Sequence, residues 1–290
     1  MKNKVKITVF TPTYNRGDIL INLYHSLQSQ SFSDFEWLII DDGSIDNTFA
    51  IVSEWKNENN SFKIRYYKKK NGGKCRAINK ALDLAKGELF FTVDSDDVLT
   101  YDALDKINSW SEDLADKKDY CGFAGNMSVS NSIKINREFK LGYFDGDAFS
   151  RYKEVDGERA MIFYTDVHRK YKYPEFENEN FLTESVTWNR MAHDGYKIRY
   201  YNDIIWLYEY QEDGLTKSGH KLFINNPKGY GLWLKEKCYF THNSLINRLK
   251  MYYAFFCDLK DYYNREEIKN FINMPVFYYI ICIFLNKVKL

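Results

Sequence analysis

Asp94, Ser95, Asp96 and Asp97 put three carboxylates into four residues, directly after the strand-like run ELFFTV at 88–93. In an extended segment side chains two apart point the same way, so Asp94 and Asp96 share a side. One such carboxylate can take a ribose hydroxyl while the other ligates Mg2+ or Mn2+. These hard cations prefer oxygen and draw further oxygens from phosphates. A cation held there acts as a Lewis acid on a departing diphosphate. An isolated DSDD is more often a turn or a helix cap; two further polar clusters at the ends of buried runs reverse that reading.

The first of these is TPTYNRGD, after VKITVF at 5–10; the second is Asp41-Asp42-Gly43-Ser44, at the end of EWLIID at 36–41. Tyr14 offers a ring to stack on a base, or packs as an ordinary core tyrosine. Asp42 can accept from the N3–H of uracil, or cap a turn. Asn71-Gly72-Gly73-Lys74 presents backbone N–H groups and an ammonium to phosphates, or makes a simple turn. His220 can complete a metal shell or stand solvated, and the other four histidines show no ligand spacing. Transfer of a sugar from a nucleoside diphosphate needs a base-and-ribose pocket and a neutraliser for the pyrophosphate. It also needs a base for the acceptor's proton and a site that aligns the acceptor hydroxyl.

The elements that must position these residues alternate. Strands are expected at 5–10, 36–41, 62–67 (FKIRYY) and 88–93. Between them lie a helix with Ile19, Leu20, Leu23 and Leu27 inward, one from near Asp46 with Phe49, Val52 and Trp55 inward, and one carrying Ala77, Ile78, Ala81, Leu82 and Ala85. Gly87 is read as the C′ stop of the third. Short crossovers of this kind imply a parallel, doubly wound sheet, with ligands beyond the carboxyl ends of its strands. The three polar clusters stand at those ends. Residues 102–116 and 184–194 read as helices, the latter closed by Gly195. A strand pair is expected at 196–201 and 204–210, and two basic amphipathic helices at 244–273; the pattern over 120–170 is weak.

The chain of 290 residues suits one large α/β domain or two packed halves. A net charge of +1 excludes a protein that coats nucleic acid through a basic face. The rings of 24 Tyr, 21 Phe and 6 Trp exceed what a core alone uses and suit stacking on sugars and bases. The five cysteines, at 75, 121, 238, 257 and 282, include no CxxC pair, which argues against zinc and disulfides and for a reducing compartment. With no secretory segment before the first strand, a cytoplasmic location is expected.

Taken together, TPTYNR, IDDGSIDNT, NGGKCRAINKAL and ELFFTVDSDD resemble family 2 glycosyltransferases of the GT-A fold, densely over residues 5–105 and more weakly to about 217. The resemblance implies a Rossmann-like nucleotide-binding half with a mostly parallel central sheet (1–100), an acceptor-binding and catalytic half (101–220), and a helical C-terminal tail (221–290). It implies that Thr11, Pro12 and Tyr14 line the base, that Asp42 contacts uracil, that Lys74 and Arg76 lie near the donor, and that Asp94 and Asp96 form the DxD motif with Asp96 on the metal. FLTESVTWNRMA at 181–192 resembles the start of the family's acid-Asp helix, with Trp188 and Arg190 in later motif positions. Thr183-Glu184 replaces the usual pair, so Glu184 takes the place of the general base; otherwise it caps the helix. The resemblance further implies inversion in a single displacement, a UDP-sugar donor, and a glycan or lipid-linked acceptor in surface polysaccharide assembly. The stretch 210–216 resembles a loop that closes over the donor.

Two other readings compete. A sugar-phosphate nucleotidyltransferase would carry a glycine-rich basic signature where TPTYNRGD stands. A degenerate, non-catalytic nucleotide-sugar-binding module would not keep both DSDD and Glu184. The run PVFYYIICIFL at 275–285 is too short to cross a bilayer and either docks on the protein or lies in the membrane interface at the inner face of the cell membrane.

Overall fold

The computed structural model describes residues 5–129, 138–208, 219–241 and 244–288. The expected alternation forms as β1 (Ile7–Thr13), α1 (Gly17–Gln28), β2 (Phe35–Asp41), α2 (Thr48–Trp55), β3 (Lys63–Lys68), α3 (Lys74–Leu84) and β4 (Leu89–Thr92). Apolar side chains on both faces of β1 and β2 require cover on both faces of the sheet. Ile7 and Val9 pack with Leu20, Leu23 and Leu27 of α1 and with Val52 and Trp55 of α2. Phe10, the residue after Val9, points to the other side and meets Ala77, Ile78, Ala81 and Leu82 of α3. Fully burying one such Leu or Ile contributes about 1.5–3 kcal/mol, so α1 to α3 are held by their stripes rather than by capping.

β5 (Val98–Leu99), α4 (Ala103–Asp113), β6 (Tyr120–Val129), β7 (Tyr143–Gly146), α5 (Arg151–Glu154), β8 (Arg159–Tyr164), α6 (Thr165–His168), α7 (Ser185–His193) and β9 (Lys197–Tyr208) follow. Among the described residues they extend the same sheet, in the order β3-β2-β1-β4-β8-β6-β9-β5, with β7 on β9. The first four strands are parallel. β8 runs antiparallel to both β4 and β6, and β6 is parallel to β9. One sheet therefore crosses the boundary expected near residue 100.

Three local expectations are corrected. The strand pair is one strand over its described length: β6 pairs with residues on both sides of Asn202, and its register jumps between Ala124 and Asn126. The polar Asn202-Asp203 step is a bulge rather than a turn. The Asn202 side chain accepts from Phe139 N at 3.0 Å and donates to its carbonyl at 2.9 Å. Residues 209 and 210 lie outside the described residues. Phe49 is 60% exposed, because α2 buries Thr48, Val52 and Trp55 instead. Gly87 is not a left-handed cap: α3 ends at Leu84, and a Cβ on Gly87 would sit 2.2 Å from the amide of Thr8. Close approach of two backbones demands that glycine.

The C-terminal part is helical: α8 (His220–Ile224), α9 (Pro227–Thr241), α10 (Leu245–Leu259), α11 (Arg265–Phe271) and α12 (Val276–Val288). These helices share a core around Tyr230, Tyr252, Phe255, Phe256 and Ile268. Residues 244–273 carry five basic and four acidic side chains, so the two helices there are near neutral rather than basic. The helices dock on α7 through the Arg190–Glu236 pair at 2.6 Å. Leu232 and Trp233 of α9 also pack against the core that contains Val186.

Candidate active site

β1, β2 and β4 end side by side, and the polar clusters follow each of them. Just past β1, Asn15 binds the loop beyond β2 through its amide, which donates to Ser44 Oγ at 2.8 Å, and its side-chain oxygen, which accepts from Ile45 N at 2.8 Å. Tyr14 beside it is 47% exposed, open for a ring to stack on it. Pro12 is half-buried in β1 opposite Ile40. Thr11 is turned inward, and its hydroxyl accepts from the indole N–H of Trp37 at 3.0 Å. Any contact of Thr11 with a base is thus left to its backbone.

Successive residues of a strand face opposite ways, and Asp41 and Asp42 divide accordingly. Asp41 accepts from the amides of Gly43 and Ser44 at 3.0 and 2.7 Å and from the Tyr66 hydroxyl. It shapes the turn, a role the sequence reading did not assign. Asp42 accepts from the amides of Gly72 and Gly73, the latter at 2.7 Å, and from Lys69 Nζ. The Gly-Gly loop is thereby tied to the end of β2.

Gly73, at φ 89°, precedes the first turn of α3. A Cβ there would lie 1.7 Å from the carbonyl oxygen of Asn180, so only glycine lets α3 approach the 175–182 segment. That approach places Lys74, whose Nζ lies 2.7 Å from Asp94 Oδ1 and 2.8 Å from Glu184 Oε1. One ammonium therefore joins the loop after β4 to the start of α7. Burial by itself would lower the Lys74 pKa, but the charges of Asp94 and Glu184 outweigh it and hold the ammonium above the ordinary lysine range. Glu184 stands at the N-cap position of α7 yet makes no side-chain cap bond. Its carboxylate goes to Lys74, which sets aside the capping role.

In the loop after β4 burial alternates. Asp94 and Asp96 are half-exposed, whereas Ser95 and Asp97 are buried. Burial and then repulsion from Asp94 push the Asp96 carboxyl above its usual range. Asp97 is pushed up to about 8 by burial and by the charges of Asp94 and Asp96. The carboxyl groups of Asp94, Asp96 and Asp97 repel one another, and Lys74, shared with Glu184, does not offset that repulsion. That imbalance, on oxygen donors only, fits a hard divalent cation. Among the described residues no three His, Cys, Asp or Glu side chains gather into a chelating group, so such a cation would take its remaining oxygens from elsewhere.

Two expected site residues are turned to other work. Arg76 donates to the carbonyls of Gly72 at 2.8 Å, Glu179 at 2.6 Å and Phe176 at 2.5 Å, and pairs with Glu175. It staples the Gly-Gly loop to the 175–179 segment. His220 begins α8, with Nε2 3.4 Å from Asp258 of α10 and its ring against Phe223 and Tyr230. These contacts hold the half-exposed ring against the C-terminal helices. Trp188, one turn after Glu184, lies under the guanidinium of Arg151 at 5.4 Å. The loop expected at 210–216 lies outside the described residues.

Comparison with known proteins agrees with this geometry. Over 232 residues the chain is 24% identical to the glycosyltransferase GlyG of Streptococcus pneumoniae serotype 4, covering 73% of each. Over 102 residues it is 36% identical to the poly(ribitol-phosphate) beta-N-acetylglucosaminyltransferase TarS of Staphylococcus aureus, covering 34% of this chain and 18% of TarS. Over 164 residues it is 29% identical to the GalNAc(5)-diNAcBac-PP-undecaprenol beta-1,3-glucosyltransferase of Campylobacter jejuni, covering 51% of this chain and 52% of that protein. It thus spans about half or less of these last two. The crystal structure of S. aureus TarS in complex with UDP-GlcNAc superposes with a TM-score of 0.62 at 17% identity, over 92% of this chain and 84% of that one. The mannosyltransferase PcManGT of Pyrobaculum calidifontis, in complex with GDP-Man and Mn2+, superposes with a TM-score of 0.56 at 17% identity, over 98% of this chain and 88% of that one. These superpositions establish a shared GT-A fold. The family model for glycosyl transferase family 2 matches residues 8–167, more than half of the chain, and the chain belongs to that family.

Proposed function

We propose that the chain moves a hexose or N-acetylhexosamine from a nucleoside diphosphate sugar, UDP-linked in the first instance, to a hydroxyl of a glycan or lipid-linked acceptor, with inversion. The observation that carries this reading is the Lys74 bridge, with Asp94 and Glu184 each within 2.8 Å of one nitrogen. The two carboxylates can be no farther apart than those distances allow together. A leaving diphosphate at the aspartate loop and an acceptor hydroxyl at Glu184 would then meet across one anomeric carbon. In the displacement the acceptor oxygen forms the new bond to that carbon and Glu184 takes its proton. The bond to the diphosphate oxygen breaks, and the nucleoside diphosphate leaves with the electron pair. Asp96, with Asp94 beside it, would hold Mn2+ or Mg2+, which supplies charge neutralisation for the leaving group. Tyr14 and Pro12 border the base, Ser95 and Asp94 the ribose, and Asp42 either reads the base or keeps its hold on Gly72 and Gly73.

On this reading residues 1–100 hold the donor, 101–220 the acceptor, and the tail at 221–290 contacts the inner face of the cell membrane, where lipid-linked acceptors are built. The relatives named for poly(ribitol-phosphate) and for an undecaprenol-linked glycan support an acceptor of that kind.

The test is release of nucleoside diphosphate from UDP-, GDP- and dTDP-sugars with and without Mn2+, with Asp96→Ala as the control. Metal-dependent release from one donor, reduced at least ~10²-fold in the variant, is expected. Release of pyrophosphate instead would indicate the nucleotidyltransferase reading. Silence with no binding of UDP and Mn2+ would overturn the transferase reading in favour of a degenerate, non-catalytic module.

A further inference from the structure

α12 has two unlike faces. Along one, Tyr278 and Cys282 are buried in the helical core. The Tyr278 ring lies 4.9 Å from Tyr252, and Asn286 Oδ1 accepts from Lys260 at 3.2 Å. These contacts advance together along α10 and α12, so the two helices run parallel. On the other face Val276, Phe277, Ile280 and Phe284 are 59%, 68%, 60% and 64% exposed. At about 100° per residue, Phe277, Ile280 and Phe284 fall within an arc of roughly 60°, opposite Tyr278 and Cys282. A lone exposed Phe is ordinary, whereas an aligned row of this kind marks a contact surface.

We infer that this face of α12 lies in the surface of a lipid bilayer, its axis along the membrane plane, while the other face stays docked on the protein. The inference rests on the membrane contact proposed above for the tail and deepens it by naming the face that makes it; it does not depend on which sugar or acceptor is used. The size and shape of the exposed row and the local charge select lipid over another occupant. The exposed row amounts to roughly 450 Å2 on typical side-chain areas, well short of the ~800 Å2 per partner that a stable dimer buries. It is also a convex ridge of side chains, which enters an acyl boundary without a shaped partner. Finally, α12 itself carries Lys287 and no acid, and Lys289 follows it in the sequence. That charge suits an anionic headgroup layer.

Deleting the helix would strip Tyr278 and Cys282 from the core, so surface exchange is the cleaner variant. The full chain would be sedimented with phosphatidylcholine vesicles, with and without phosphatidylglycerol, beside a chain combining Phe277→Ser, Ile280→Ser and Phe284→Ser. Both proteins would be checked for equal melting temperature and equal turnover on a water-soluble acceptor, which separates this inference from failure of the transferase reading. The full chain is expected to bind both vesicles, more tightly with phosphatidylglycerol, and the variant to bind at least about tenfold more weakly. Equal binding by the two proteins, or no binding by either, overturns the inference. A full chain that sediments as a dimer and a variant that sediments as a monomer would overturn it in favour of a second copy.

Discussion

Glu184 has two properties that a base needs: a carboxylate within reach of the aspartate loop and a partner other than its own helix. Glu184→Gln keeps a side-chain oxygen that can still accept from Lys74 and removes the ability to take a proton. The expected outcome is a loss of ~10²–10⁴ in kcat with donor KM little changed, read by steady-state kinetics with acceptor present. Were Glu184 only a strut for Lys74, the same variant would leave kcat nearly intact. Lys74, Asp94 and Glu184 could each be singled out from the sequence, because each stands where an apolar run or a helix begins or ends. Their meeting at one nitrogen was not legible, since Lys74 and Glu184 are 110 positions apart. Arg76 and His220 show the converse. A basic or imidazole side chain beside a motif reads as a ligand until the carbonyls of Phe176 and Glu179, or the carboxylate of Asp258, are found to occupy it.

Among the elements, the junction of α3 with the 175–182 segment decides whether the site assembles. It rests on Gly73, on Arg76 and on Asn79, whose side chain donates to Tyr173 O and accepts from Tyr173 N, both at 2.9 Å. Arg76→Met would leave three carbonyls short of a charged donor, at a cost of about 1–3 kcal/mol. A lower urea midpoint with unchanged slope is expected. A variant of unchanged midpoint whose donor binding alone fails would return Arg76 to the donor site. The first four strands were readable because each is a short run rich in β-branched and aromatic residues closed by Thr-Pro, Asp or Lys, and the parallel order follows from their alternation with helices. The second half was not. β6 and β8 pair across a helix and a long connection, and the bulge at Asn202 breaks β9 with the polar residues that usually mark a turn. Phe49 misled for a related reason: helical spacing fits either side of a short helix, and only packing against Tyr24 and Trp37 selects the face that carries Trp55.

For the molecule as a whole, the layer on the α3 and α7 side of the sheet is closed by His168. It packs on Phe90 of β4, Phe163 of β8 and Tyr173. It is 2% exposed, and neither ring nitrogen has a hydrogen-bond partner among the described residues. Burial lowers its pKa to about 3, from an ordinary value of 6.5. Between those values the unfolded chain binds a proton that the folded chain refuses, so stability falls as pH drops below 6.5 and is insensitive to this group above it. The slope from one such group is about 1.4 kcal/mol per pH unit. His168→Phe preserves a flat ring among rings and removes the titration. Urea denaturation at pH 7 and pH 5 should therefore show the native chain losing about 2 kcal/mol more than the variant. Equal losses would mean that His168 gains a proton without unfolding, through a water path or a partner among its neighbours, and that the layer packed on β4 and β8 opens more readily than its packing implies.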